Sequence, residues 1–189
     1  MKNIVIIGAG DLGKEVVWLI EDINQNEPTY LILGFLDDDI AKAGSEFYGY
    51  KVLGGTEQLK TLSEKIPLYA VIAIQDGTVR KKIFEANPEF EKWESIIHPS
   101  AVIATSSTVG KGSLFFPHTT VSVDTQIGEF GLFYIHSTVC NDCNIGSFVS
   151  VMANAFISER ANVGEGCLIA AGQCVQPHKR IQPNTKIKK

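Results

Sequence analysis

Two groups of residues in this 189-residue chain could do chemistry. Near the start, Gly8-Ala9-Gly10-Asp11-Leu12-Gly13 satisfies G-x-G-x-x-G, and Asp37-Asp38-Asp39 follows further on. Glycines at this spacing let a backbone approach an anion. A helix beginning there adds free N–H groups and the positive end of its dipole. An acid after the second strand of such a unit commonly accepts from a ribose hydroxyl. The chemistry implied is nucleotide recognition; the plainer alternative is a tight strand-to-helix turn that needs glycine only for its backbone. The second group is His118 and His136, eighteen residues apart. If the fold stacks them, two such close cations would repel, leaving a neutral imidazole available as a general base. A plain stacked surface or interface pair is the alternative. Cys140, Cys143, Cys167 and Cys174 lack metal-ligand spacing, so no metal is expected.

The elements that must position the first group are legible. Asn3 to Ile7 reads as a buried parallel strand, and Leu12, Val16, Ile20 and Ile23 form one apolar helical face. A second strand, Tyr30 to Leu36, delivers the aspartates. Thr56 to Lys65 reads as a helix, Leu68 to Ile74 as a strand and Thr78 to Glu85 as a helix. Residues 1–92 are thus expected to form an α/β Rossmann-like domain. That is half the size of a two-mononucleotide fold, which favours the nucleotide part of a nucleotide-sugar over NAD. Pro88 and Pro99 bracket the crossing into the second domain, residues 93–189.

That second domain carries the strongest pattern. Stepping six residues at a time from Ile97 to Ile187, all sixteen positions are Ile, Val or Phe. Two residues before each lies mostly a small side chain, such as Ser107, Ser113, Thr125, Cys143 or Cys167, with Val149, Gln173 and Lys179 as looser exceptions. Gly110, Gly128, Gly146 and Gly164 recur every eighteen residues. This is a three-sided prism: each hexapeptide gives one short strand and one corner, the branched anchor fills the interior, and three hexads return the chain above its start. A left-handed parallel β-helix (hexapeptide repeat) of about five coils is predicted.

Composition bounds the rest. A net charge of −4 argues against nucleic-acid binding. No apolar run approaches the ~20 residues a membrane span needs, and the start reads as a strand, not a signal peptide. A cytoplasmic location, where buried thiols stay reduced, is the expectation.

The segments IIGAGDLGKEVV, GFLDDD, VLGGTEQL, AIQDGTVRKKI and IHPSAVI, followed by the repeat, resemble the hexapeptide-repeat sugar acetyltransferases, specifically the bacillosamine N-acetyltransferase and sialic acid O-acetyltransferase family. The resemblance covers residues 2 to 187 and implies an acetyl-CoA-dependent acyltransferase acting on a nucleotide-activated amino sugar or sialic acid, with a UDP-amino sugar as substrate. It implies that Gly10, Asp11, Leu12, Gly13, Asp37 and Asp38 hold the nucleotide portion. It also implies a homotrimer formed through the β-helix, with acetyl-CoA between neighbouring prisms and Ser150 and Ala171 beside it.

The sequence departs from the family where chemistry is expected. A family His-Asp/Glu-Cys triplet, whose histidine is the general base, falls on Asn141-Asp142-Cys143. Asparagine has no basic lone pair at neutral pH. A second family histidine falls on Ser150, a groove glycine on Glu159, and the strand-end Ala-Ile-Gly of the sugar site on Ala73-Ile74-Gln75. The closing coil and Pro-rich segment usual in the family are not found after Ile187. Three outcomes stay open: an acyltransferase with an altered site, using His136 as a relocated base or a substrate amine already partly deprotonated; a catalytically inactive nucleotide-sugar-binding relative; or a structural trimeric module with a vestigial first domain.

Overall fold

The computed structural model describes residues 1–188, which form two compact units. Met1–Gln75 and Val79–Glu94 make the first; Asp76–Thr78 and the residues from Ser95 onward make the second.

In the first unit, β1 (Lys2–Ile7) is followed by α1 (Asp11–Asn26), β2 (Tyr30–Leu36), a short hairpin of β3 (Glu46–Phe47) and β4 (Tyr50–Lys51), α2 (Gln58–Lys65), β5 (Leu68–Ile72) and α3 (Gly77–Ala86). The main sheet is parallel with order β2-β1-β5. As the middle strand, β1 buries Ile4 to Ile7 without alternation, as a parallel strand covered on both faces requires. Helix α1 buries Val16, Val17, Leu19 and Ile20, each worth about 1.5–3 kcal/mol of transfer free energy. Glu94 locks the opposite end of the sheet: its Oε1 accepts from Lys2 Nζ at 2.6 Å and from the Tyr30 hydroxyl at 2.9 Å. Burial, then that carboxylate, holds the Tyr30 hydroxyl well above the ordinary phenol range.

Two elements are shorter than their sequence patterns predict. The helix expected from Thr56 begins at Gln58, after a tighter turn in which the Gln58 and Leu59 N–H groups donate to the Gly55 and Thr56 carbonyls, while the Thr56 N–H donates to the Asp38 carboxylate at 2.7 Å. The strand expected to reach Ile74 ends at Ile72, and the carbonyls of Ile74 and Gln75 accept from the buried guanidinium of Arg80 at 2.9 and 2.7 Å.

The second unit is a left-handed parallel β-helix of sixteen two-residue strands, from Ile96–Ile97 to Lys186–Ile187. Its first face has six strands and the other two have five each, always pairing residues eighteen apart. The anchors from Phe115 to Ile181 fill one continuous interior, with Phe115 and Phe133 stacked at 4.7 Å. Ile97 departs from the expectation that every anchor is interior. It sits on the first coil, with no coil of its own unit beneath it, and is 41% exposed while Ile96 is buried. Val149, an exception to the small-residue rule, is fully buried.

The corners carry a feature the sequence does not announce. From residue 112 to residue 184, every sixth residue has positive φ, including His118, His136, Asp142, Asn154 and Arg160. A left-handed conformation costs a non-glycine residue about 1–2 kcal/mol. It is offset here because most of these N–H groups donate to a carbonyl one coil earlier, as in Asp142 to Val123 and Arg160 to Asn141. The small residues are also more than filler. Thr125 Oγ1 donates to the Cys140 carbonyl at 2.8 Å and accepts from the Cys143 N–H at 3.2 Å, tying one coil to the next. Ser107 bridges in the same way, Ser113 Oγ donates to the Gly110 carbonyl of its own coil while accepting from the Gly131 N–H of the next, and the Cys143 and Cys167 thiols donate to carbonyls of the following coil. The recurring glycines are steric: a Cβ on Gly146 would lie 2.6 Å from the Glu165 backbone nitrogen.

Candidate functional site

In the first unit the glycine turn joins β1 to α1 and packs beside the end of β5. Gly8 has φ +109°, and a Cβ there would lie 2.8 Å from the Ala73 carbonyl oxygen. Gly13 is buried, and any side chain would collide with the Gly8 carbonyl, so this glycine brings α1 onto the turn. Around Gly10 there is open space, and it caps α1 with no side-chain hydrogen bond. Asp11 is fully exposed and pairs with Lys14 at 3.1 Å, while Leu12 is half-buried.

Asp37 closes the turn from the other side. Its Oδ2 accepts from the Ala9 N–H at 2.8 Å and from Lys42 Nζ at 2.9 Å, and its Oδ1 accepts from the Asp39 N–H at 3.0 Å. Lys42 also donates to the Ala9 carbonyl at 3.1 Å. Burial raises the Asp37 carboxyl, but these hydrogen bonds outweigh it and hold the group below the usual carboxylate range. Asp38 is exposed and binds the Thr56 N–H.

A cavity of about 400 Å³ opens at the carboxyl ends of the three parallel strands, where ligands of open α/β sheets bind. Its polar lining comes chiefly from Asp37, Asp38, Thr56 and Lys82, and Gly8 is the part of the glycine turn that reaches it. A second cavity of about 600 Å³ shares Asp37, Asp38 and Thr56 and extends along Gly54, Gly55 and Glu57. Lys42, Arg80 and Lys82 were not legible as site residues. The first ends a single 3₁₀ turn, Ile40–Lys42, and the other two are flanked by further basic residues in an ordinary helix.

In the second unit, Asn141 and Asp142 lie on the edge between the second and third faces. Asn141 Nδ2 donates to Asp142 Oδ2 at 2.7 Å, and Arg160 Nε lies 3.6 Å from the same oxygen. Asp142, Arg160 and His178 occupy equivalent left-handed positions of successive coils, a polar ladder on the outside of the prism. One coil beyond Asn141 stands Glu159. Burial, then the Glu159 carboxylate, pushes the Cys140 thiol up.

His118 and His136 stack, with ring centroids 4.8 Å apart and planes 18° from parallel. They stand on the edge between the first and second faces, and the strand Thr138–Val139 separates them from Asn141. Ser150 is buried on the first face, and Ala171 is exposed on the His136 edge two coils further on. One chain therefore does not gather Asn141, His136, Ser150 and Ala171 into one pocket. Among the described residues, no three His, Cys, Asp or Glu side chains gather as a metal site would require.

The model of the PglD N-terminal domain matches residues 3–86. The chain is 31% identical over 118 residues to the UDP-N-acetylbacillosamine N-acetyltransferase of Bacillus subtilis (strain 168); the match spans 60% of this chain and 51% of that relative. Among solved structures, the acetyltransferase domain of PglB from Neisseria gonorrhoeae FA1090, in complex with acetyl coenzyme A, is 25% identical with a TM-score of 0.85. That likeness covers 98% of this chain and 87% of the other. A histidine-to-asparagine mutant of perosamine N-acetyltransferase from Caulobacter crescentus, in complex with CoA and GDP-perosamine, is 25% identical with a TM-score of 0.88, covering 98% and 85%. The likeness to both solved structures runs through the first unit and the β-helix of the second.

Proposed function

We propose that this chain is an acetyl-CoA-dependent acyltransferase acting on a nucleotide-activated amino sugar, with a UDP-amino sugar as the preferred substrate, and that its proton-removal step is impaired. The observation carrying this reading is the likeness over 98% of the chain to acetyltransferases holding acetyl coenzyme A, or CoA with GDP-perosamine. The strand-end cavity of the first unit supports a nucleotide-sugar, since its mixed apolar and polar lining suits a ligand with a base, a ribose and a diphosphate.

In the reaction, the sugar amine attacks the thioester carbonyl carbon, the C–N bond forms, the C–S bond breaks and CoA leaves as its thiol. The attacking nitrogen must shed one proton. Asn141 offers an amide donor to Asp142 and an oxygen too weakly basic to take that proton. The step then depends on the fraction of amine already deprotonated in solution. His136, on another edge, is the alternative base.

The dispersal of Asn141, His136, Ser150 and Ala171 over a face and two edges supports a homotrimer in which the acyl-donor groove is completed by a second copy. Asn141 also favours a second reading, a nucleotide-sugar-binding relative without turnover. The histidine-to-asparagine perosamine enzyme is in complex with both CoA and GDP-perosamine, so that substitution is compatible with binding of both in that protein. Calorimetric titration with acetyl-CoA, UDP- and GDP-amino sugars and NAD, followed by a transfer assay, tests both. Binding of acetyl-CoA and a UDP-sugar with slow turnover is expected; binding of NAD alone would overturn the proposal.

A further inference from the structure

Resting on the nucleotide-sugar reading, we propose that Lys82 is the diphosphate-binding residue of the first unit's cavity. Charge balance supplies the argument. The lining contains two carboxylates, Asp37 and Asp38, and a nucleotide diphosphate sugar brings two further negative charges. The Asp37 charge is already answered by Lys42, whose ammonium is held between that carboxylate and the Ala9 carbonyl and does not line the cavity. Lys82 is the one cation in the lining, and among the described residues no hydrogen bond or ion pair engages it.

Its placement is set by α3. Val79 and Ile83, about one turn apart, give the helix its apolar contribution to the same cavity, and Lys82 stands beside Ile83 in the lining. The same lining includes Gly8 and Ile7 at the carboxyl end of β1. An ammonium here repels the amino group of the sugar and attracts the diphosphate, so it fixes which end of the ligand points toward α3. Lys82 is exposed, so its contribution weakens as salt rises.

The test titrates the full chain with UDP, GDP, uridine and guanosine, in the wild type and in Lys82→Ala, Lys82→Arg and the surface control Lys60→Ala. The wild type should bind a nucleoside diphosphate more tightly than its nucleoside. Lys82→Ala should weaken diphosphate binding about tenfold at low salt, leave nucleoside binding within about twofold, and narrow its gap from wild type at high salt. Lys82→Arg should restore most of the affinity, and Lys60→Ala should match wild type. Wild-type binding with no loss in Lys82→Ala, or an equal loss for nucleoside and diphosphate, would overturn the role of Lys82 alone. No binding of any nucleotide by the wild type would remove the nucleotide-sugar reading and the proposal with it.

Discussion

The carboxylate of Asp37 accepts the backbone N–H of Ala9 at 2.8 Å, joining the end of β2 to the middle of the glycine turn. An aspartate at this point is expected to face a ribose. Here it spends hydrogen bonds on Ala9, Asp39 and Lys42, and so builds the turn that would receive the ligand.

Asp37→Asn should therefore loosen the turn as well as alter binding. It removes the charge from an ion pair in which Asp37 is only 14% exposed, and a loss of about 1–3 kcal/mol is expected in denaturant unfolding. The pH dependence has a definite sign. Because the folded-state value lies below the unfolded one, the contribution of Asp37 is complete above the unfolded value of about 3.9. It disappears as pH falls through the lower folded value. The wild type should lose stability across that acidic window more steeply than Asp37→Asn; parallel curves would contradict the clamp.

Asn141→His should raise the transfer rate about 10²–10⁴-fold, the range typical of a positioned base. Asp142, already hydrogen-bonded to residue 141, can orient the new imidazole. Adding Glu159→Gly removes bulk and charge one coil away and should not lower that gain. His136→Ala should leave the slow wild-type rate within about threefold, because His136 stands on a different edge. Loss of turnover in His136→Ala would instead establish it as the base.

Thr125→Val keeps the shape beneath the corner but removes the hydroxyl between coils. The Cys143 N–H then has no acceptor, and the Cys140 carbonyl loses a donor. A cost of about 1–3 kcal/mol is expected in chemical unfolding, with Thr125→Ser close to wild type. Equal stability of the Val variant would make the residue a spacer only.

Sedimentation equilibrium should give about three times the 20.6 kDa mass of one chain. A monomer at micromolar concentration would contradict the trimer and, with it, a groove completed by a second copy.

The prism was legible because one physical demand, an apolar interior, repeats every six residues and tolerates only Ile, Val and Phe at the anchors from Phe115 to Ile181. The glycine turn was legible because backbone sterics select glycine at Gly8 and Gly13. Their individual roles were not, since spacing alone does not separate a glycine that admits a helix from one that leaves room for a ligand. Arg80 and Lys82 were hidden for a related reason: in Thr78-Val79-Arg80-Lys81-Lys82, charge is uniform, and only the fold buries Arg80 and turns Lys82 to the cavity. The left-handed corners escaped altogether. His, Asp, Phe, Asn and Arg share no property there beyond their place in the coil.

That place in the coil sets how this chain can change in length. Deleting or duplicating eighteen residues within the prism would leave every later corner in phase, with carbonyls waiting one coil away. Inserting a single residue would shift all later anchors outward at once and strand each following corner on the wrong amino acid. The natural increment of growth or loss is a whole turn of the prism, and the tolerance of the scaffold to insertions should be quantised accordingly.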